Sequence, residues 1–224
     1  MKKSLFIILF IFSISLVLAH QPNIVYEKAS PFFIYNPEIS QAFYGELKGM
    51  PEYYIINSSN NFDLYLQMLS PDIKDAREDF VFEVTHENKL ILLEGNSHNW
   101  TRFHEEFAND NYLSGPELEI NNTQGLYKIK VSNSDNKGKY VLVVGRKEAF
   151  PLSVTIATLW TIPQLKIYFN KPFFYGYFTI ISLFFFWPAL IIIISLIFFI
   201  RYLIKRLNNK KIVKKSPKKL KKKI

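Results

Sequence analysis

The chain has no cysteine in its 224 residues. That excludes disulfides, thiolate metal centres and a cysteine nucleophile together. The sequence also lacks G-x-S-x-G, H-E-x-x-H, a phosphate-binding P-loop and G-x-G-x-x-G, so no hydrolase, zinc-peptidase or nucleotide signature is present. His104-Glu105-Glu106 has no second histidine to complete a zinc pair. Charge is missing from 29 consecutive residues between Lys171 and Arg201, and acid is missing from everything after Arg201.

The last two absences define a topology. Residues 173–200 read FFYGYFTIISLFFFWPALIIIISLIFFI, and about 20 apolar residues suffice to cross a hydrocarbon core. Residues 201–224 carry twelve Lys or Arg, and basic residues beside a span stay on the cytoplasmic side. Pro188 is expected to kink the span, and Gly176 has no small-x-x-x-small partner for a helix dimer. At the other end Met1-Lys2-Lys3, the apolar run Leu5–Leu18 and Val17-x-Ala19 match a secretory signal over 1–19. The expected protein is a single-pass type I protein of the plasma membrane. It has an outside domain over 20–150, a juxtamembrane stalk or interfacial helix over 151–172, a transmembrane helix over 173–200 and a cytoplasmic tail. That tail is too short and too charged to fold, and suits anionic lipid headgroups. The stretch SVTIATL in 153–159 also fits a last strand of the outside domain.

The net charge of +9 suggests a nucleic-acid partner. Setting aside two lysines at positions 2 and 3 and the twelve basic residues of the tail leaves 14 Lys/Arg against 19 Asp/Glu, so the outside domain is net −5. Nucleic acid is thereby excluded as a partner of that domain.

The outside domain reads as strands. Tyr53–Ile56, Phe62–Leu69, Phe80–Thr85 and Lys89–Leu93 are short β-branched or aromatic runs bounded by turn formers. His86-Glu87-Asn88 is expected as a hairpin loop. Residues 96–114 suit either a long loop or a short helix, and Pro37–Leu47 a helical turn. In Gly125–Gly145, Tyr127, Ile129 and Val131 alternate with polar residues, a turn follows, and Tyr140, Leu142 and Val144 alternate again. This pattern predicts a hairpin, and the whole predicts an all-β antiparallel sandwich.

Gly125, Tyr127, Ile129, Val131, Gly138, Tyr140, Leu142, Val144 and Gly145 resemble the closing hairpin of the pre-peptidase C-terminal type of jelly-roll domain. The resemblance implies a jelly-roll-like fold and a non-catalytic accessory or binding role.

Cleavage after Ala19 would leave His20 as an N-terminal residue with amine and imidazole together, a donor set that suits Cu(II) with a second imidazole from His86, His98 or His104. Asp72, Asp75, Glu78 and Asp79, and Glu105, Glu106 and Asp110, form two acidic clusters. They suit solvated loops better than Ca²⁺, since no D-x-D-x-D-G pattern accompanies them. Asn57, Asn99 and Asn121 head N-x-S/T sequons, available for glycosylation in a host that performs it. The expected function is a membrane-tethered recognition or accessory module with a protein or glycan ligand. A copper-binding protein using His20 and a scaffold subunit of an envelope complex are the alternatives.

Overall fold

The computed structural model describes residues 20–25, 30–106, 108–149 and 151–215. The signal segment 1–19 and the last nine residues of the tail lie outside the described residues. The chain divides into two compact units, Met1–Ile180 and Ile181–Ile224.

Among the described residues nine strands build the first unit: β1 Gln21–Ile24, β2 Phe32–Ile34, β3 Gln41–Lys48, β4 Glu52–Pro71, β5 Val81–His86, β6 Lys89–Glu94, β7 Thr101–Glu105, β8 Asp110–Ser132 and β9 Lys137–Val144. They form one sheet in the order β1-β3-β9-β4-β8-β5-β6, with β2 on β4 and β7 on β8. The expected antiparallel pairing holds except for two short parallel strands, β1 on β3 and β2 on β4.

Two long strands turn this sheet into a sandwich. The runs at Tyr53–Ile56 and Phe62–Leu69 are parts of one strand, β4, which pairs with β8 along almost its whole length. The ladder is irregular between Ser58 and Leu64, where Asn122 has a positive φ of 51°. Asn61 donates to Asn122 Oδ1 at 2.9 Å, and the Asn122 amide donates to Asp63 at 2.8 Å. Such irregularities bend strands. On one side of the bend β4 and β8 join β1, β3, β7 and β9; on the other they join β2, β5 and β6. Leu64, Leu66, Met68, Tyr140 and Leu142 of the first half pack against Tyr54, Ile56, Phe82, Ile129 and Val131 of the second.

The predicted hairpin over Gly125–Gly145 is corrected. Both strands and their turn exist, with Asn136 and Gly138 at positive φ, but β8 and β9 are not paired there. The end of β8 pairs with β4 and β5, whereas β9 pairs with β3 and with the far end of β4. The two strands face each other across the core, so both contribute alternating apolar residues to it. β9 is also buried on its second face, with Tyr140–Val144 fully enclosed, which suits a central strand. The Glu87-Asn88 turn does join a true hairpin, β5–β6. Pro37–Leu47 is a turn followed by β3, with no helix, and 96–114 holds β7 and the start of β8.

The segment 151–172, expected as a juxtamembrane stalk or interfacial helix, is mostly helix α1, Leu152–Tyr168. It buries Thr158, Ile162, Leu165 and Lys166, a helical spacing that overrides the local strand preference of SVTIATL. Leu165 and Phe169 join Ala42, Tyr44, Tyr65, Leu69, Tyr112, Val141 and Val143 in a second core on the outer face of the first half-sheet. Lys166 Nζ reaches Asp110 at 2.7 Å and the Ala108 carbonyl, and Lys171 Nζ reaches the other Asp110 oxygen at 2.8 Å. Asp110 is therefore buried and ion-paired, not a member of a solvated acidic loop. Burial holds the Lys166 ammonium below its ordinary range, while Asp110 opposes that shift.

After α1, Phe173–Phe178 forms a 3-10 turn that packs on α1, and a Cβ at Gly176 would overlap the Pro163 backbone. This turn occupies the start of the segment expected to span. In the second unit a π turn, Ser182–Phe186, leads into helix α2, Trp187–Lys215. Pro188 is the second residue of α2, directly after the π turn. The helix long and apolar enough to cross a membrane is Trp187–Leu207, with mean hydropathy 2.3. The tail is helical as far as Lys215, contrary to expectation; Lys and Arg are good helix formers and favour a helix C-terminus.

Removing one partner of a buried ion pair is far costlier than replacing both by apolar groups. Lys166→Ala should lose about 3–5 kcal/mol of stability, whereas Lys166→Met combined with Asp110→Leu should lose much less than the sum of the single changes. Thermal and denaturant unfolding of the full chain in detergent checks this.

Candidate functional site

The first half-sheet has its outer face covered by α1; among the described residues the outer face of the second has no such cover. Its register fixes which side chains share it. One row runs Tyr53, Lys130, Glu83 and Leu92; the next runs Phe33, Ile55, Lys128, Thr85 and Leu90; a third pairs Asn57 with Leu126. Period-two alternation sends the neighbours Tyr54, Ile56, Ile129 and Val84 into the core. The outward apolar residues remain open: Phe33 56%, Tyr53 44%, Leu90 58%, Leu92 47% and Leu126 43% exposed. Lys130 donates to Glu83 at 2.7 Å, which raises its pKa through that hydrogen bond. Lys128 is exposed in the middle of the face. The result is an apolar surface with a cationic centre.

One edge of this face opens into a groove of about 810 Å³ lined by Met50, Glu52, Tyr53, Tyr54, Ile55 and Lys128, among others. Gly49 turns the chain at its mouth with φ 95°. Beneath it lies a buried polar chain. The Tyr140 hydroxyl donates to Glu52 Oε2, and the Tyr54 and Tyr140 hydroxyls lie 2.8 Å apart. Gly45, directly opposite Tyr140 in the β3–β9 ladder, leaves room for that ring, which a Cβ would overlap. Burial, and then the negative charge of Glu52, pushes the Tyr54 phenol well above its ordinary value; Tyr140 shifts the same way. Both phenols stay protonated, and the chain ties the groove to the core.

The structure separates the four histidines. His20 precedes β1, its Nδ1 hydrogen-bonded to the Ser40 hydroxyl, in a small cavity lined by residues such as Phe103, Glu105, Tyr112 and Ile162. No other histidine lines it. Burial lowers its imidazole from 6.5 to about 4. His86 stacks on Tyr127 with ring centroids 4.0 Å apart. His98 sits edge-on to Trp100, and His104 Nδ1 lies 2.6 Å from Asn111 Oδ1. Among the described residues no group of three or more His, Cys, Asp or Glu is arranged to hold a metal ion. The acidic clusters are interleaved with cations: Asp79 and Asp135 pair with Arg77, and Asp72 with Arg102. The Arg77 hydrogen bond holds the Asp79 carboxyl below its usual range.

Asn57, Asn99 and Asn121 are all exposed. Asn57 stands opposite Leu126 on the open face, so a glycan there would border it. The face itself was visible in the sequence only as scattered residues, because its rows come from five strands whose pairing the local pattern does not give.

No family model matches the chain, and no curated protein matches it. Among solved structures, the pre-peptidase C-terminal domain of a collagenase from Bacillus anthracis is similar at 13% identity and a TM-score of 0.30, over 56% of this chain and 95% of that one. It is of the same domain type that residues 125–145 resemble. A likeness of that size carries no argument about function.

Two outcomes follow from the polar groups. Tyr140→Phe removes the hydroxyl between Glu52 and Tyr54 and should cost about 1–3 kcal/mol, against about 1 kcal/mol for Tyr54→Phe, measured by denaturant unfolding. His20 takes up its proton near 6.5 when unfolded but near 4 when folded, so the unfolded state binds more protons between those values. Stability should therefore fall as pH drops from 6.5 to 4, and His20→Asn should flatten that part of the stability–pH curve.

Proposed function

We propose that this protein is a membrane-anchored binding module, without catalytic activity, that recognises a protein partner through the outer face of its second half-sheet. One observation carries the reading: five apolar side chains from four strands stand open on that face, while the equivalent face of the other half is sealed by α1. Exposed large apolar side chains gathered on one face favour an interaction site, and here they flank the polar columns Lys128–Lys130 and Glu83–Thr85. Tyr53 and Phe33 offer large contact area at small entropic cost, and Lys128 adds charge selectivity at the centre. Leucines at the far edge suit a protein surface better than a glycan. α2 supports the anchoring, and its basic C-terminal half supports an orientation with that end cytoplasmic and the sandwich outside. The same basic run suits anionic headgroups.

Copper ligation through His20 draws no support from this arrangement, since no second imidazole lies beside it. The scaffold alternative differs only in the partner's identity.

A photo-crosslinking residue at position 53 or 92 of the full chain in its native membrane should give one discrete adduct. The adduct should vanish with Leu126→Asp or Lys128→Glu and be absent from a probe at Ser134. Equal adducts at all three positions, or none, would refute the proposal. An adduct confined to integral membrane subunits would select the scaffold version.

A further inference from the structure

α1 covers the first half-sheet with one side, and its other side is open. Leu152, Ile156, Trp160 and Ile167 are all exposed, at spacings of four, four and seven that place them on one stripe. From Leu152 to Leu165 the helix has no charged residue, and the one charge buried beneath it, Lys166, is taken by Asp110. The 3-10 turn that packs against Pro163 exposes Phe174 and Phe178. A surface helix of a water-soluble domain ordinarily carries charge on its outer side. This one carries none, and its inner side is already occupied.

We propose that the outer stripe of α1, with the aromatic turn after it, lies in the headgroup–acyl boundary of the bilayer. Three features favour lipid over a protein partner. First, the stripe is uncharged and carries Trp160, and the turn after it exposes Tyr175 beside Phe174 and Phe178; Trp and Tyr are enriched at the membrane interface. Second, the stripe runs the length of the helix, about 20 Å at 1.5 Å per residue, long and narrow as an in-plane helix requires. Third, only eight residues separate Phe178 from Trp187, a reach of at most about 30 Å, so the chain itself holds the stripe near whatever membrane α2 enters. The attraction is apolar, so it is independent of anionic lipid and of salt. This separates it from the lysines after Arg201, whose attraction to a membrane is electrostatic. The inference rests on α2 crossing the bilayer.

The absence of cysteine makes the test direct. Single nitroxide labels at Ile156→Cys, Leu92→Cys and Ile194→Cys in the full chain, reconstituted in phosphatidylcholine nanodiscs, report immersion depth from collisions with oxygen and with a water-soluble nickel chelate. The expected result is a shallow lipid depth at 156, a deep one at 194 and an aqueous environment at 92, with 156 unchanged when phosphatidylserine or 0.5 M salt (about a 4 Å Debye length) is added. If 156 is as aqueous as 92 while 194 is deep, the inference fails and the anchor stands. If 156 is shielded from both reagents, a protein surface covers the stripe and the inference fails. If 194 is aqueous too, the anchor itself fails and the inference with it.

Discussion

Everything in the sandwich depends on the ladder between β4 and β8. Among the described residues these two strands alone belong to both halves, and their shared irregularity at Ser58–Leu64 lets a single sheet close on itself. The bend is built from asparagines: Asn61 and Asn122 bond to each other, and Asn122 adopts the left-handed conformation that this residue tolerates better than most. Without that corner, Leu64 and Leu66 would not meet Ile129 and Val131, and neither half would have an apolar layer to face.

A folded sheet has two outer faces, and this chain treats them differently. α1 seals the first with Leu165 and Phe169, and the Lys166–Asp110 pair sets its seat on the sheet. Such a pair contributes little net stability but strongly penalises a helix shifted from its position, since either charge left alone in the core is costly. Tyr168 adds to that register, donating to the backbone carbonyls of Gly45 and Tyr140 across β3 and β9. The second face has no such layer. Its side chains alternate cleanly between core and surface, and its surface set is apolar at the edges and cationic at the centre. That difference is what the proposed binding role of the second face rests on.

Much of this was legible in the sequence. The strands at Tyr53, Phe62, Val81, Lys89, Tyr127 and Tyr140 follow from period-two alternation, and the uncharged run before the lysines points to an apolar helix near its position. The pairing was not legible. Residues 125–145 read as a hairpin because alternation reports which residues face a core, not which strand lies beside them; β8 and β9 both feed the core from opposite sides. A helix over 151–172 stood beside a last strand as alternative readings, because Val154, Thr155 and Ile156 favour strand locally and the sheet beneath rewards a helix. The start of the apolar run misled as well, because Phe173–Phe178 is as apolar as a span yet packs on α1 through Gly176. His20 and the other histidines were visible as residue types, but their separation follows from a topology that spacing alone cannot supply.

The unequal treatment of the two outer faces is the central claim, and hydroxyl-radical footprinting of the full chain in nanodiscs tests it most directly. Phe33, Tyr53 and Leu92 should be oxidised rapidly, while Tyr44, Tyr112 and Leu69, which lie under α1, should be protected until Lys166→Met loosens the helix. Comparable oxidation of both sets in the unaltered protein would contradict the account.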